Sequence, residues 1–256
     1  DLVRSRGLGD VYKRQMYDYN RGCCDNICYS GVADIFRLPK FSLSFFRTQI
    51  AEGSMLPSGK MPYEVFIPAY RDEILSETVM VYGNVDEVEL VLNGKTIRRQ
   101  TADKGPDSDY IPVPNGGNGK NLHFPPFTFY GVPKERGVLK AVGYHQGKKV
   151  AEYTVKTPGV PERLDITYFE SGKPATKNDL LIVYVRMLDK QGVLCPVNGI
   201  PVELSVQGGE IVGPTSYPLE AGVASFLVRT GEISKININA TGKGFSTRKS
   251  LKVGKE

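Results

Sequence analysis

The stretch Val85-Asp86-Glu87-Val88-Glu89-Leu90-Val91-Leu92-Asn93-Gly94-Lys95-Thr96-Ile97-Arg98-Arg99 decides how the rest of the chain is read. Val88, Leu90 and Leu92 alternate with polar residues, which places them on one face of a half-buried strand. Asn93-Gly94 follows at once, and this pair favours a two-residue hairpin turn because both turn positions tolerate positive φ. Lys95 to Arg99 then reads as the returning strand. The pattern continues on either side: 78–82, 126–130, 138–144 and 150–155 complete about seven short strands over roughly 95 residues, the count and size of an immunoglobulin-like β-sandwich.

Two Pro/Gly-rich joints bound this region, Gly53 to Pro62 and Lys156 to Pro161. After the second joint, candidate strands at 164–168, 180–188, 201–206, 223–228 and 236–240 are separated by the turns Asp189-Lys190-Gln191-Gly192 and Gln207-Gly208-Gly209, so a second β-sandwich is expected. No period relates the two modules, which makes them analogous folds and not a repeat. Before the first joint, Leu38, Phe41, Phe45, Phe46 and Ile50 form an apolar stripe, with Pro39 suited to a first helical turn, so a helix is predicted over 38–50. Upstream of it Met16-Tyr17-Asp18-Tyr19 alternates as a strand and runs into a polar loop from Asn20 to Gly31. One strand, one loop and one helix cannot enclose a core, so 16–54 reads as the end of a larger domain.

The chain has 256 residues, 40% of them hydrophobic and 24% charged, with 14 Tyr and 11 Phe; it carries enough apolar surface for folded cores. No run approaches the roughly 18 apolar residues of a membrane span, and the first fifteen residues lack the apolar centre of a signal peptide. The formal charge is +5, of which residues 1–15 contribute two units. The remaining surplus is read as scattered along strand-like segments, which argues against a nucleic-acid partner. Cys23, Cys24 and Cys28 lie close together without a matching second pair, Cys195 is distant, and the two histidines, His123 and His145, fall in loop-like and strand-like contexts. No metal site, cofactor or disulfide framework is therefore assigned.

Glycosidase chemistry requires two carboxylates about 5–5.5 Å apart for retention of configuration. Asp18 is the one strand-end carboxylate of the 16–54 piece, and with Asn20 and Arg21 it could hydrogen-bond sugar hydroxyls. On sequence alone a local Asp18–Arg21 pair that shapes the loop takes precedence. Asp25 and Asp34 are ordinary loop acids. Asn115-Gly116-Gly117-Asn118-Gly119-Lys120 lacks the phosphate-loop spacing, and Asp103, Asp107 and Asp109 lack the calcium-loop spacing. Asn239-Ala240-Thr241 matches a glycosylation sequon inside a strand. Trp, the best residue for stacking on sugars, is absent from the sequence.

Residues 16–22 (MYDYNRG), 30–40 (SGVADIFRLPK) and the aromatic run to Gln49 resemble the last strand, loop and helix of the (β/α)8 barrel of glycoside hydrolase family 2, which includes β-galactosidases and β-glucuronidases. The segments Val85–Lys95, Pro126–Phe129 and Gly137–Tyr144 are similar to the sandwich that follows the barrel in Bacteroidetes-type members. Asp179–Val185 and Gly209–Gly213 resemble their invasin-like C-terminal domain. The resemblance implies a mainly β chain, with two tandem immunoglobulin-like sandwiches (60–157 and 160–254) preceded by the last strand and helix of a truncated barrel (16–54). GLGDVYKRQ, within 1–15, looks like translated sequencing-adapter read-through, which would make 1–15 non-native.

The family's acid/base and nucleophile are glutamates on earlier barrel strands, so the resemblance implies no catalytic residue in this chain and no hydrolase activity of its own. It implies an oligosaccharide or polysaccharide substrate for the parent enzyme, sugar contacts from Asp18, Asn20 and Arg21, a periplasmic or secreted location, and room for a homo-oligomer. The rival reading is a non-enzymatic surface or polysaccharide-binding protein of tandem sandwiches, which 60–254 alone would equally fit; a polysaccharide-binding middle sandwich is compatible with either.

Overall fold

The computed structural model describes residues 31–34, 36–69, 76–103, 122–169 and 174–254. Asp18, Asn20, Arg21, the clustered cysteines, the strand expected at 16–19, Asp107, Asp109 and the 115–120 loop lie outside the described residues. The fold is mainly β, and the chain divides at Thr157/Pro158 into two compact units. No helix among the described residues is long and apolar enough to cross a membrane.

The first unit contains helix α1 (Phe41–Thr48) and strands β1 (Met55–Leu56), β2 (Gly59–Lys60), β3 (Val65–Phe66), β4 (Val79–Gly83), β5 (Glu87–Leu92), β6 (Lys95–Thr101), β7 (Phe127–Phe129), β8 (Val138–His145) and β9 (Lys148–Lys156). Apart from the small β1–β2 pair they form two antiparallel sheets, ordered β3-β4-β7 and β6-β5-β8-β9. Val79, Val81, Phe127 and Phe129 of one sheet bury against Val88, Leu90, Leu92, Leu139 and Ala141 of the other. The alternation read in 85–92 therefore marks the core face. Asn93 and Gly94 have φ of 51° and 80°, the left-handed pair the hairpin needs. The Asn93 side chain also joins the turn to β8: its Nδ2 donates to the Arg136 carbonyl at 3.0 Å, and its Oδ1 accepts from the Val138 N–H at 2.9 Å.

The second unit contains β10 (Pro161–Tyr168), β11 (Leu180–Asp189), β12 (Pro201–Gln207), β13 (Gly209–Ile211), β14 (Ser216–Pro218), β15 (Val223–Thr230), β16 (Lys235–Gly242) and β17 (Phe245–Lys252). Its sheets, β10-β11-β15-β13 and β14-β12-β16-β17, enclose one core. Leu181, Val183, Val185, Met187, Phe226 and Val228 face Val202, Leu204, Ile236, Ile238 and Ala240 across it. Burying each such aliphatic side chain is worth about 2 kcal/mol, which is the main force closing the two layers.

Two expectations are corrected. The helix is shorter than 38–50: Pro39 pairs with Ala33 in an isolated antiparallel bridge, and the Lys40 N–H donates to the Val32 carbonyl at 2.9 Å. Those bonds hold the backbone extended through Lys40, so helical geometry begins at Phe41. The second correction is three strands of the second unit absent from the predicted ones: the three-residue β13, which takes up Gly209 of the expected turn, the three-residue β14, and the longer β17. The β17 sequence FSTRKSLK has little apolar alternation, because of its residues only Leu251 is buried; it is a strand by virtue of its ladder to β16 and its approach to β10.

The joint between the units is closed from both sides. In the first unit Thr157 donates its N–H to the Gly137 carbonyl at 2.8 Å, and its hydroxyl accepts from the Gly137 N–H at 3.1 Å. In the second, Asp189 is 3% exposed yet fully engaged. Its Oδ2 accepts from the Gly159 N–H at 2.7 Å, and its Oδ1 accepts from Gln191 and Val193 at 2.9 and 2.8 Å. Burial opposes ionisation of this carboxyl, but the N–H groups of Gly159, Val193, Gln191 and Gly192 together outweigh it and hold its pKa below the usual carboxylate value. A pKa lower in the folded than in the unfolded state stabilises the unit above the unfolded value, and that contribution is lost as the pH falls through the folded one. Asp189→Ala is expected to cost the second unit about 3 kcal/mol in urea unfolding. Asp189→Asn, which keeps one acceptor oxygen, should cost less, and either substitution should flatten the acid limb of the stability profile.

Candidate functional site

The part of the first unit nearest the predicted sugar contacts in sequence is the segment 31–50, and the structure shows how it is held. Asp34 Oδ1 accepts from the Phe36 and Leu38 N–H groups at 2.9 and 2.8 Å, so this loop acid shapes a turn and offers no free carboxylate oxygen pair. Arg37, at φ 62°, sits inside that turn. α1 follows and lies against β3 and β4 through edge-on aromatic pairs, Phe41 with Phe66 at 5.6 Å and Phe45 with Tyr82 at 5.0 Å between ring centroids.

Three polar clamps then fix the helix and its exit. The Arg47 guanidinium makes a two-nitrogen contact with the Glu64 carboxylate, the fork geometry that arginine suits best. Gln49 bonds both backbone groups of Phe124, donating from Nε2 to the carbonyl at 2.9 Å and accepting at Oε1 from the N–H at 3.1 Å. Asn84, 3% exposed in the turn between β4 and β5, donates from Nδ2 to the carbonyls of Ile50 and Pro62 at 2.9 and 3.0 Å. Its Oδ1 accepts from the Glu64 N–H at 2.6 Å. Gly83 and Gly143 allow this approach: a Cβ on either would lie 2.9 or 2.7 Å from Val65 Cγ1, closer than side chains pack.

Between α1, β3 and β9 a cleft of about 320 Å³ remains, lined by Ser44, Arg47, Tyr63, Glu64, Phe66 and Tyr153 among others. Tyr63 stacks on His145 at 5.0 Å between centroids, and His145 Nδ1 lies 3.1 Å from Asp86. Burial, then the Glu52 and Asp86 carboxylates, push the Tyr63 phenol upward. The carboxylates of the cleft have cationic partners. Glu64 is held by Arg47, and Glu152 by Lys149 and Lys140 at 2.5 and 2.9 Å, which keep the Glu152 pKa low.

The same balance covers the outer face of β6-β5-β8. Thr96 and Tyr144 donate to Glu89 at 2.7 and 2.6 Å and lower its pKa. Arg99 lies 3.7 Å over the Tyr144 ring while bonding Glu87 at 2.5 Å. A glycosidase acid must stay protonated near neutrality, which takes a raised pKa. Among the described residues every carboxyl group whose pKa is displaced is displaced downward: Asp86, Glu89, Glu152, Asp189 and Glu232. The cleft can seat a polar group beside these ion-paired carboxylates.

Of the other sequence candidates, Asp103 accepts from Thr128 through both its oxygens and is structural. His123 stands edge-on to Phe124. Among the described residues no three His, Cys, Asp or Glu side chains gather where a metal ion could be held. Asn84, Gln49 and Asp189, which organise the two units, carry no motif that sequence reading would single out.

Residues 76–151 match the family described as "Domain of unknown function (DUF4982)". A β-galactosidase of Thermoanaerobacter pseudethanolicus is 32% identical over 230 residues, covering 84% of this chain and 29% of that protein. A β-galactosidase of Rhizobium radiobacter is 30% identical over 129 residues, covering 50% of this chain and 92% of that sequence. The solved structure of a β-glucuronidase from glycoside hydrolase family 2 superposes with a TM-score of 0.70 at 21% identity, over 90% of this chain and 23% of the other. The chain thus spans 29% of the length of its Thermoanaerobacter relative.

Asn84→Ala would leave two carbonyls and one N–H without their partner, at an expected cost of about 3 kcal/mol. Hydrogen exchange should accelerate across 41–66 well before it does in β10–β17; uniform acceleration over the whole chain would contradict the clamp.

Proposed function

Because the chain belongs to glycoside hydrolase family 2, we propose that it is the C-terminal, non-catalytic part of an enzyme that cleaves β-linked galactosides or related glycans. The observation that carries this reading is the 32% identity to a β-galactosidase over 230 residues that make up only 29% of that protein. In this reading α1 and the turn before it are the last helix and loop of the (β/α)8 barrel, and the two sheet pairs are tandem immunoglobulin-like sandwiches. The domains run 16–54, 60–157 and 160–254, with 1–15 foreign to the protein. Asp18, Asn20 and Arg21 lie at the barrel's substrate end and contact the sugar. The acid/base and nucleophilic glutamates belong to earlier barrel strands, and the whole protein is exported to the periplasm or beyond.

The role of the first unit follows from its geometry. A barrel closes only if its last helix is held in place, and α1 is held by Arg47–Glu64, Gln49–Phe124 and the Asn84 bonds at its exit. Those contacts make the unit a buttress for the catalytic domain. They also weigh against the adhesin reading, since a surface protein built of sandwiches alone has no use for a helix docked at three separate points. Among the described residues no carboxyl group has the raised pKa that a protonated glycosidase acid needs, which is in keeping with an acid/base residue outside them.

The purified chain is expected to give no turnover of a nitrophenyl β-galactoside above buffer, while the protein extended upstream through the barrel does. Turnover by the short chain would sink the non-catalytic reading. An inactive extended protein would sink the substrate class.

A further inference from the structure

We propose that the outer face of the sheet β14-β12-β16-β17 in the second unit is a binding surface for an acidic polysaccharide. The charge of the folded unit is not scattered as the linear sequence suggests. Between Lys235 and Val253 there are five basic residues, Lys235, Lys243, Arg248, Lys249 and Lys252, and no acidic one. All five are exposed, and none forms an ion pair with a carboxylate of the described residues, whereas Arg47, Arg99, Lys140, Lys149, Arg186 and Arg229 do. The register places Lys235, Arg248 and Lys252 on the outer face of the β16–β17 hairpin, while Lys243 lies in its turn and Lys249 stands opposite the buried Ile238 at the rim of the other face.

On the outer face the cross-strand rows are polar throughout. Lys235 stands opposite Lys252; Gln207, Asn237 and Ser250 form the next row; Ser205, Asn239 and Arg248 the next; Glu203, Thr241 and Ser246 the last. The alternate residues Leu204, Ile236, Ile238 and Ala240 are buried, which fixes the orientation of these rows toward solvent. Two like charges directly opposite each other on neighbouring strands destabilise the pair. Lysines that guard an open sheet edge do not explain Lys235, which lies on the inner strand β16 with β12 and β17 on either side. An anionic ligand relieves the repulsion at Lys235 and Lys252 and engages Arg248, while the amides and hydroxyls of Asn237, Asn239, Gln207 and Ser205 match the hydroxyl groups of a sugar chain. Aromatic side chains are missing from these rows, so the face lacks the stacking platform that single-stranded nucleic acid uses. The inference does not depend on the family reading, since it uses only the second unit's own residues.

Affinity electrophoresis of the full chain in gels containing polygalacturonate, neutral galactan or single-stranded DNA tests the proposal. Polygalacturonate is expected to retard the chain at low salt and much less at high salt, with galactan giving no retardation and DNA weaker retardation. Arg248→Glu/Lys252→Glu should weaken retention on polygalacturonate roughly tenfold. Lys95→Glu/Lys148→Glu, which changes net charge equally but in the first unit, should leave retention unchanged, with circular dichroism confirming that both variants fold. Absence of retardation, equal loss in the two variants, equal retention on galactan, or retention on DNA as strong as on polygalacturonate would each overturn it.

Discussion

The arrangement of the first unit depends on one buried side chain. Asn84 is placed by a tight turn between two strands that belong to different sheets, and it reaches the helix exit at Ile50, the linker at Pro62 and the start of the edge strand at Glu64. A buried amide with three good partners is stabilising only while all three are present, because each orphaned group costs more than the bond contributes. The clamp is therefore cooperative. It orients Glu64, Glu64 receives Arg47, and Arg47 fixes the last turn of the helix. The aromatic pairs around Phe41, Phe66 and Tyr153 fill the space that these polar bonds define.

Much of the β architecture was legible because it rests on period-two alternation and turn chemistry, both local properties. The strand at 87–92 and its Asn-Gly turn lie where the residues place them, and β8, β11 and β15 depart from their expected limits by a few residues at most. What escaped depends on partners distant in sequence. Pro39 has the local character of a helix start, yet a bridge to Ala33 holds it extended. β17 has almost no apolar signature, and becomes a strand because β16 offers it a complete ladder of eight paired residues. Asn84 and Asp189 look like ordinary turn residues. Their importance appears only when Ile50 and Gly159 arrive beside them.

The treatment of charge differs between the units. In the first, acids and bases on the β6-β5-β8-β9 face are matched across neighbouring strands: Arg99 with Glu87, and Lys140 and Lys149 with Glu152. Such pairs are individually worth little in water, but they neutralise part of that sheet's charge, leaving Lys95, Arg98, Lys148 and Lys156 outside any ion pair with the described residues. In the second unit the basic residues of the β16–β17 hairpin have no such partners. Net charge alone conceals this contrast, since a sum over the chain cannot distinguish neutralised residues from segregated ones.

The closure of the joint at Thr157 and Gly159 bears on how such chains are assembled over evolutionary time. Thr157 completes its bonds with Gly137 on the upstream side, and Gly159 with Asp189 on the downstream side. Each half thus carries to its own boundary the donors and acceptors that seal it. A recombination event falling at Pro158 would transfer a downstream module with its seal intact and leave the upstream one finished, whereas a break ten residues to either side would strand a half-bonded strand end. The narrow seam makes the second unit an exchangeable cassette, open to fusion behind any domain that can end in an extended residue.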